Sequence, residues 1–122
     1  MSYEFKLDLD HDLLECVYTG TVIFTERMQA IKLGIEILKD RDYPRIIINL
    51  LAAKIHMTQD EKLQLAEYIS EQHALENVKT AFLIRCEQTE REEVDSAITR
   101  PDEFDSQVFF SRSKAIEWLT AK

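Results

Sequence analysis

Polar and apolar residues alternate from Tyr3 to Leu9, with Tyr3, Phe5, Leu7 and Leu9 on one side and Glu4, Lys6 and Asp8 on the other. That period predicts a strand with one wet face. Asp10-His11-Asp12 reads as a polar turn. A second apolar run from Leu13 to Tyr18, broken by Glu15 and ended by Gly20, completes a β-hairpin.

The pattern then changes to a helical one. Met28, Ile31, Ile35 and Leu38 recur on one face, widened by Ala30, Gly34 and Ile37, with Thr25 as the expected N-cap. Gly34 in mid-helix costs up to ~1 kcal/mol relative to Ala, which a close approach of helix to sheet would offset. Asp40-Arg41-Asp42-Tyr43-Pro44 stops the helix, because the residue before a proline leaves helical geometry.

Arg45 to Leu51, with Ile46-Ile47-Ile48 at its centre, is apolar on both faces and suits a central strand. Thr58 and Glu61 form a capping box, and the helix they start turns Leu63, Leu65, Ala66 and Ile69 inward before ending near His73. Val78 to Arg85 is another buried strand. Thr89 and Glu92 form a second box, opening a short acidic helix with Val94, Ala97 and Ile98 inward and Pro101 beyond it. Gln107 to Phe110 is a last short strand. Ser111 or Ser113 caps a final helix that buries Ala115, Ile116, Leu119 and Trp118.

The predicted order is β-β-α-β-α-β-α-β-α, an α/β fold with a mostly parallel sheet and an antiparallel strand at its N-terminal hairpin. No repeat, linker or low-complexity stretch divides the chain, so residues 1–122 read as a single domain.

Composition narrows the function classes. A net charge of −8 disfavours nucleic acid and an anionic membrane surface. No apolar run approaches the ~20 residues of a membrane span, and the N-terminal residues show no signal-peptide pattern, which points to the cytoplasm. Cys16 and Cys86 stand 70 positions apart with no metal spacing and read as buried free thiols. Gly20 and Gly34, the only glycines in the sequence, rule out a Gly-rich phosphate loop, and no Gly-x-Ser-x-Gly elbow is present.

The order of elements resembles the SpoIIAA-like fold of STAS domains such as the anti-sigma-factor antagonists. The likeness runs over essentially the full length. It rests on the opening hairpin and long helix, on Arg45-Ile46-Ile47-Ile48-Asn49-Leu50 leading to the cap at Thr58, and on the ending Val108 to Leu119. That ending looks like those of small bacterial SpoIIAA-like proteins without assigned activity. In the antagonists, a serine opening the helix after this strand is phosphorylated. The resemblance makes Thr58 its positional counterpart here. Met57 stands where the antagonists have an acidic residue, and Gln59-Asp60 where they have small ones. Thr58 also reads as an ordinary N-cap.

Of the three histidines, His11 falls in the hairpin turn and His73 in a last helical turn that suits a cation. His56 lies in Ile55-His56-Met57, beyond the carboxyl end of a central strand, where open α/β sheets place ligands. The carboxylates from Glu90 to Asp105 read as a solvated face. Arg85 is the only basic sequence neighbour of Cys86, which argues against an activated thiol. Trp118 and Tyr43 are candidates for anchoring or pocket-lining roles.

No catalytic constellation, cofactor motif or metal motif appears, so the leading reading is a non-enzymatic binding or regulatory module acting through protein contacts, as a homo-oligomer. The alternative is a small-molecule or lipid carrier, since the SpoIIAA-like fold is similar to the CRAL-TRIO lipid-binding fold. Ile55, His56 and Met57, with apolar partners from the last helix, would hold the ligand. An enzyme using His56 or a carboxylate is the third reading.

Overall fold

The structure is a computed structural model and describes residues 2–39, 45–71, 78–85 and 106–121. Among these residues the order is β1 (Tyr3–Asp8), β2 (Leu13–Val22), α1 (Phe24–Leu38), β3 (Arg45–Ile55), α2 (Gln59–Ser70), β4 (Lys79–Leu83), β5 (Ser106–Phe109) and α3 (Arg112–Thr120). The strands form one sheet in the order β1-β2-β3-β4-β5. β1 is antiparallel to β2 and every other neighbouring pair is parallel. Expectations that concern Asp40 to Pro44, His73, Cys86 and the helix capped by Thr89 fall outside the described residues.

The sheet separates two apolar layers. On one face Leu14, Cys16, Tyr18, Ile46, Ile48 and Phe82 pack under α1 and α2. On the other, Leu13, Ile47, Ala81 and Leu83 pack under Ala115 and Leu119 of α3. Successive strands step in one direction, so right-handed crossovers put α1 and α2 on the same face. The helix after the last strand is then free to cover the opposite face. This is why Ile46-Ile47-Ile48 is apolar throughout, as a strand covered on both sides must be.

The hairpin turn is closed by Asp8, whose carboxylate accepts the His11 backbone N–H at 3.1 Å and pairs with the His11 ring at 2.8 Å. Asp12 adopts a positive φ of 52°, a region where Asp is tolerated. Tyr3 and Phe5 face the core as the alternation predicts. Leu7 and Leu9, expected beside them, are 49 % and 75 % exposed, and Leu9 lies beyond the end of β1.

Several element boundaries differ from the sequence expectation, and three of the differences have a visible structural cause. β2 does not end at Gly20; it continues to Val22, and Gly20 accommodates a φ of +67° within it. β3 does not end at Leu51; it runs to Ile55 through an irregularity, since Val17 pairs with Asn49 but Thr19 pairs with Ala52. The extra residue puts Leu51 and Ala52 both outward, and the Asn49 side chain accepts the Leu51 N–H at 3.0 Å. Finally, α1 is capped at Ile23, whose carbonyl accepts the Arg27 N–H at 3.0 Å, and not at Thr25. Val22 is still paired with Ile55, so the helix starts directly after the strand and Thr25 is already inside it.

Thr58 caps α2 as expected, with the full reciprocal box: its hydroxyl accepts the Glu61 N–H at 3.1 Å and Glu61 accepts the Thr58 N–H at 2.8 Å. Leu65 and Ile69 point inward, whereas Leu63 is 59 % exposed. At about 100° per residue, Leu63 lies on the far side of the helix from Leu65. Ser111 holds the N-cap position of α3, but its hydroxyl bonds to that of Ser113 at 2.9 Å and not to the helix end.

Two cations from the strands close the other end of α3. Arg45 Nε donates to the Leu119 carbonyl at 2.8 Å, and Lys79 Nζ donates to the Trp118 carbonyl at 3.0 Å. Positive charge there suits the negative end of the helix dipole. No helix among the described residues is long and apolar enough to cross a membrane.

Candidate functional site

The sheet face under α1 and α2 holds a partly open cavity of about 60 Å³. β2 supplies Cys16 and Tyr18, β4 supplies Thr80 and Phe82, and α1 supplies Arg27 and Gly34. Ile46 and Ile48 of β3 and Ile69 of α2 complete an apolar wall. Two features of this lining are unusual for a core. One is an arginine 3 % exposed, and the other is a threonine 2 % exposed, Thr80.

Arg27 reaches the interior because it occupies the buried stripe of α1 with Ala30, Gly34 and Leu38. These positions follow at intervals of three and four and so share one face. Its Nη1 donates to the Tyr18 hydroxyl at 2.7 Å, and its guanidinium carbon lies 5.1 Å from the centre of the same ring. Tyr18 is itself 1 % exposed. Burial pushes the phenol above its ordinary value and the neighbouring Cys16 thiol likewise. Both groups are therefore neutral around Arg27. Tyr18 offers an acceptor and a π-face, and no charge.

The remaining groups are not satisfied. Among the described residues, neither Arg27 Nε nor Thr80 Oγ1 has a hydrogen-bond partner, and no carboxylate pairs with Arg27. A buried, unpaired guanidinium costs several kcal/mol by the usual scale, so its presence calls for an account. The glutamate next to it, Glu26, faces away and accepts from Ser2, N–H at 3.2 Å and hydroxyl at 2.7 Å.

A contrasting arrangement lies on the opposite face. Glu15, 5 % exposed, accepts from Arg112 Nη2 at 2.8 Å and Nε at 3.1 Å, and its other oxygen accepts from Asn49 at 3.0 Å. A depression of about 370 Å³ beside the hairpin is bordered by this pair and by Lys6 and Asp8. Because Glu15 and Arg112 satisfy each other, this cluster works as a clasp between β2 and α3.

The residues singled out from sequence do not meet in one place. Ile55 is buried in the α1 layer, Met57 packs partly against it, and His56 is exposed with its backbone N–H on the Val22 carbonyl at 2.8 Å. None of the three lines the cavity. The last helix packs on the other layer, so it supplies them no apolar partners. His11 serves the hairpin turn. Trp118 anchors α3, with its ring 5.6 Å from that of Phe109 and Lys79 Nζ 4.6 Å above it. Tyr43, His73, Cys86 and the carboxylates from Glu90 to Asp105 lie outside the described residues. No group of three His, Cys, Asp or Glu side chains that would hold a metal occurs among the described residues.

Arg27 and Thr80 carry the polar chemistry of the cavity, and both escape a reading by residue type. A cation on a helix and a threonine in a strand are ordinarily solvated. The available signal for Arg27 was its spacing to Ala30 and Gly34. For Thr80 it was a place in a run apolar on both sides.

No family model and no curated protein sequence matches the chain. Among solved structures, it is similar to the crystal structure of an uncharacterized protein from the DUF3478 family with a SpoIIAA-like fold from Shewanella loihica PV-4. The TM-score is 0.61 and the identity 16 %, over 96 % of this chain and 91 % of the other. The two-layered sheet with its antiparallel first strand is thus a SpoIIAA-like fold.

Proposed function

We propose that this chain is a binding module that takes a small ligand into the cavity between α1 and the sheet. The observation that carries the reading is the pair of buried polar atoms without partners, Arg27 Nε and Thr80 Oγ1, in the lining of one otherwise apolar cavity. Apolar walls with a few convergent polar groups are the usual make-up of small-molecule sites. The reading moves the ligand of a carrier from the Ile55 to Met57 loop to the interior. The module recognises and holds its ligand, and no catalytic role is assigned to it.

Xenon, which enters apolar cavities without needing a hydrogen bond, tests the reading. Methyl NMR spectra of the full chain would be recorded under increasing xenon pressure. Saturable shifts confined to the methyls of Ile31, Ile35, Ile46, Ile48 and Ile69 are expected. Shifts that stay linear, or that scatter over exposed methyls such as those of Leu9 and Leu63, would refute an accessible interior site.

A further inference from the structure

We infer that the ligand of this cavity is a small carboxylate, held by the Arg27 Nε–H and the Thr80 hydroxyl. The inference rests on the reading of the cavity as a ligand site and adds the chemistry of its occupant. Three observations lead to it.

The first is charge. Arg27 is cationic and 3 % exposed, and among the described residues it pairs with no carboxylate. Its side-chain hydrogen-bond partner among the described residues, the Tyr18 hydroxyl, supplies a lone pair and no charge. A single buried cation is balanced by a monoanion. A dianion such as phosphate would leave a second charge uncompensated in an apolar wall.

The second is geometry. Tyr18 fixes the guanidinium plane by taking Nη1 at 2.7 Å and by lying against the group at 5.1 Å. The Nε edge is left over, and that edge matches the planar acceptors of a carboxylate. Thr80 Oγ1 supplies a second donor from β4.

The third is size. An apolar cavity of about 150 Å³ is large enough for benzene. The partly open cavity here is about 60 Å³, room for a carboxylate group near acetate in size. The methyl end of such a molecule would lie among Ile46, Ile48 and Phe82.

The test compares acetate with its neutral isostere acetamide by methyl NMR titration of the full chain at constant ionic strength, with chloride as the control anion. Acetate is expected to bind at least about tenfold more tightly than acetamide, the usual scale of a charged hydrogen bond. Arg27→Met should abolish that preference, and Thr80→Val should weaken acetate without affecting xenon. Equal affinity for acetate and acetamide, chloride competing as well as acetate, or a preference that survives Arg27→Met would each overturn the carboxylate assignment. If xenon binds and acetate does not, the assignment fails and the cavity reading stands. If neither binds, both fail. Should Arg27→Met not fold, the wild-type comparison and Thr80→Val decide the matter.

Discussion

Arg112, the first residue of the last helix, reaches back 97 positions to grip Glu15 in the second strand, with Nη2 and Nε at 2.8 and 3.1 Å from one carboxylate oxygen. The arginine side chain is 48 % exposed and the glutamate side chain 7 %. The two partners are thus unequal. Removing the half-exposed cation leaves a buried carboxylate with Asn49 as its remaining partner.

Arg112→Ala is expected to destabilise the fold by about 1–3 kcal/mol, the cost of stranding a buried polar group. Adding Glu15→Gln to it should recover part of that loss, because the stranded charge is then gone. Urea unfolding of the two single variants and the double variant measures the coupling. Strict additivity would show that the clasp contributes nothing specific.

Thr58→Ala should cost about 1 kcal/mol by opening the capping box, whereas Thr58→Asp, which also caps, should stay within about 0.5 kcal/mol of the parent. The comparison bears on the resemblance to phosphorylated antagonists, since Thr58 is already engaged through both its hydroxyl and its N–H. An Asp variant as unstable as the Ala variant would show that the cap is not what Thr58 provides.

Gly34 turns out not to be forced by a collision. A Cβ there would meet the Phe5 ring at 3.5 and 3.6 Å, ordinary contact distances. Gly34→Ala should therefore stabilise α1 by up to about 1 kcal/mol through helix propensity. It should also weaken xenon and acetate binding, because Gly34 lines the cavity. Calorimetry reads the first effect and the NMR titration the second; a lower Tm would mean that Phe5 cannot yield even slightly.

Four groups among the described residues are shifted, and each gives the pH dependence a direction. The His11 ring, by its hydrogen bond, holds Asp8 below its ordinary 3.8, and the Ser2 hydroxyl holds Glu26 below its ordinary 4.5. For a lowered carboxylate the stabilisation is complete above the ordinary value and is lost as the pH falls through the folded one. Burial holds Cys16 above 9.0 and Tyr18 above 10.0. For these the stabilisation is complete below the ordinary value and is lost as the pH rises. Through these groups urea midpoints should fall at the acid end and at the alkaline end. Ser2→Ala should soften the acid limb and leave the alkaline limb unchanged; an unaltered acid limb would remove Glu26 from the account.

Much of the fold can be read from local pattern. The alternation of Tyr3 and Phe5, the double-faced run Ile46-Ile47-Ile48 and the Thr58 box each depend on spacing within one element, and spacing is written in the chain. Boundaries were less legible. Whether β3 stops at Leu51 or continues to Ile55 is settled by the pairing of Thr19 to Val22 beside it, a long-range contact with no local sign. Similarly, Leu7 and Leu9 have the period of buried residues yet are exposed, because burial depends on what packs over a strand and not on its alternation.

The sequence by itself determined the α/β order, the antiparallel first strand and the cap of the second helix, because periodicity and capping are properties of neighbours along the chain. Only the tertiary structure decided where the chemistry lies. Arg27 and Thr80 belong to a helix and a strand more than fifty positions apart, and they line one cavity because the sheet packs Tyr18 and Thr80 under α1. Burial turns an ordinary arginine into an uncompensated charge, and burial is a property of the assembled layers.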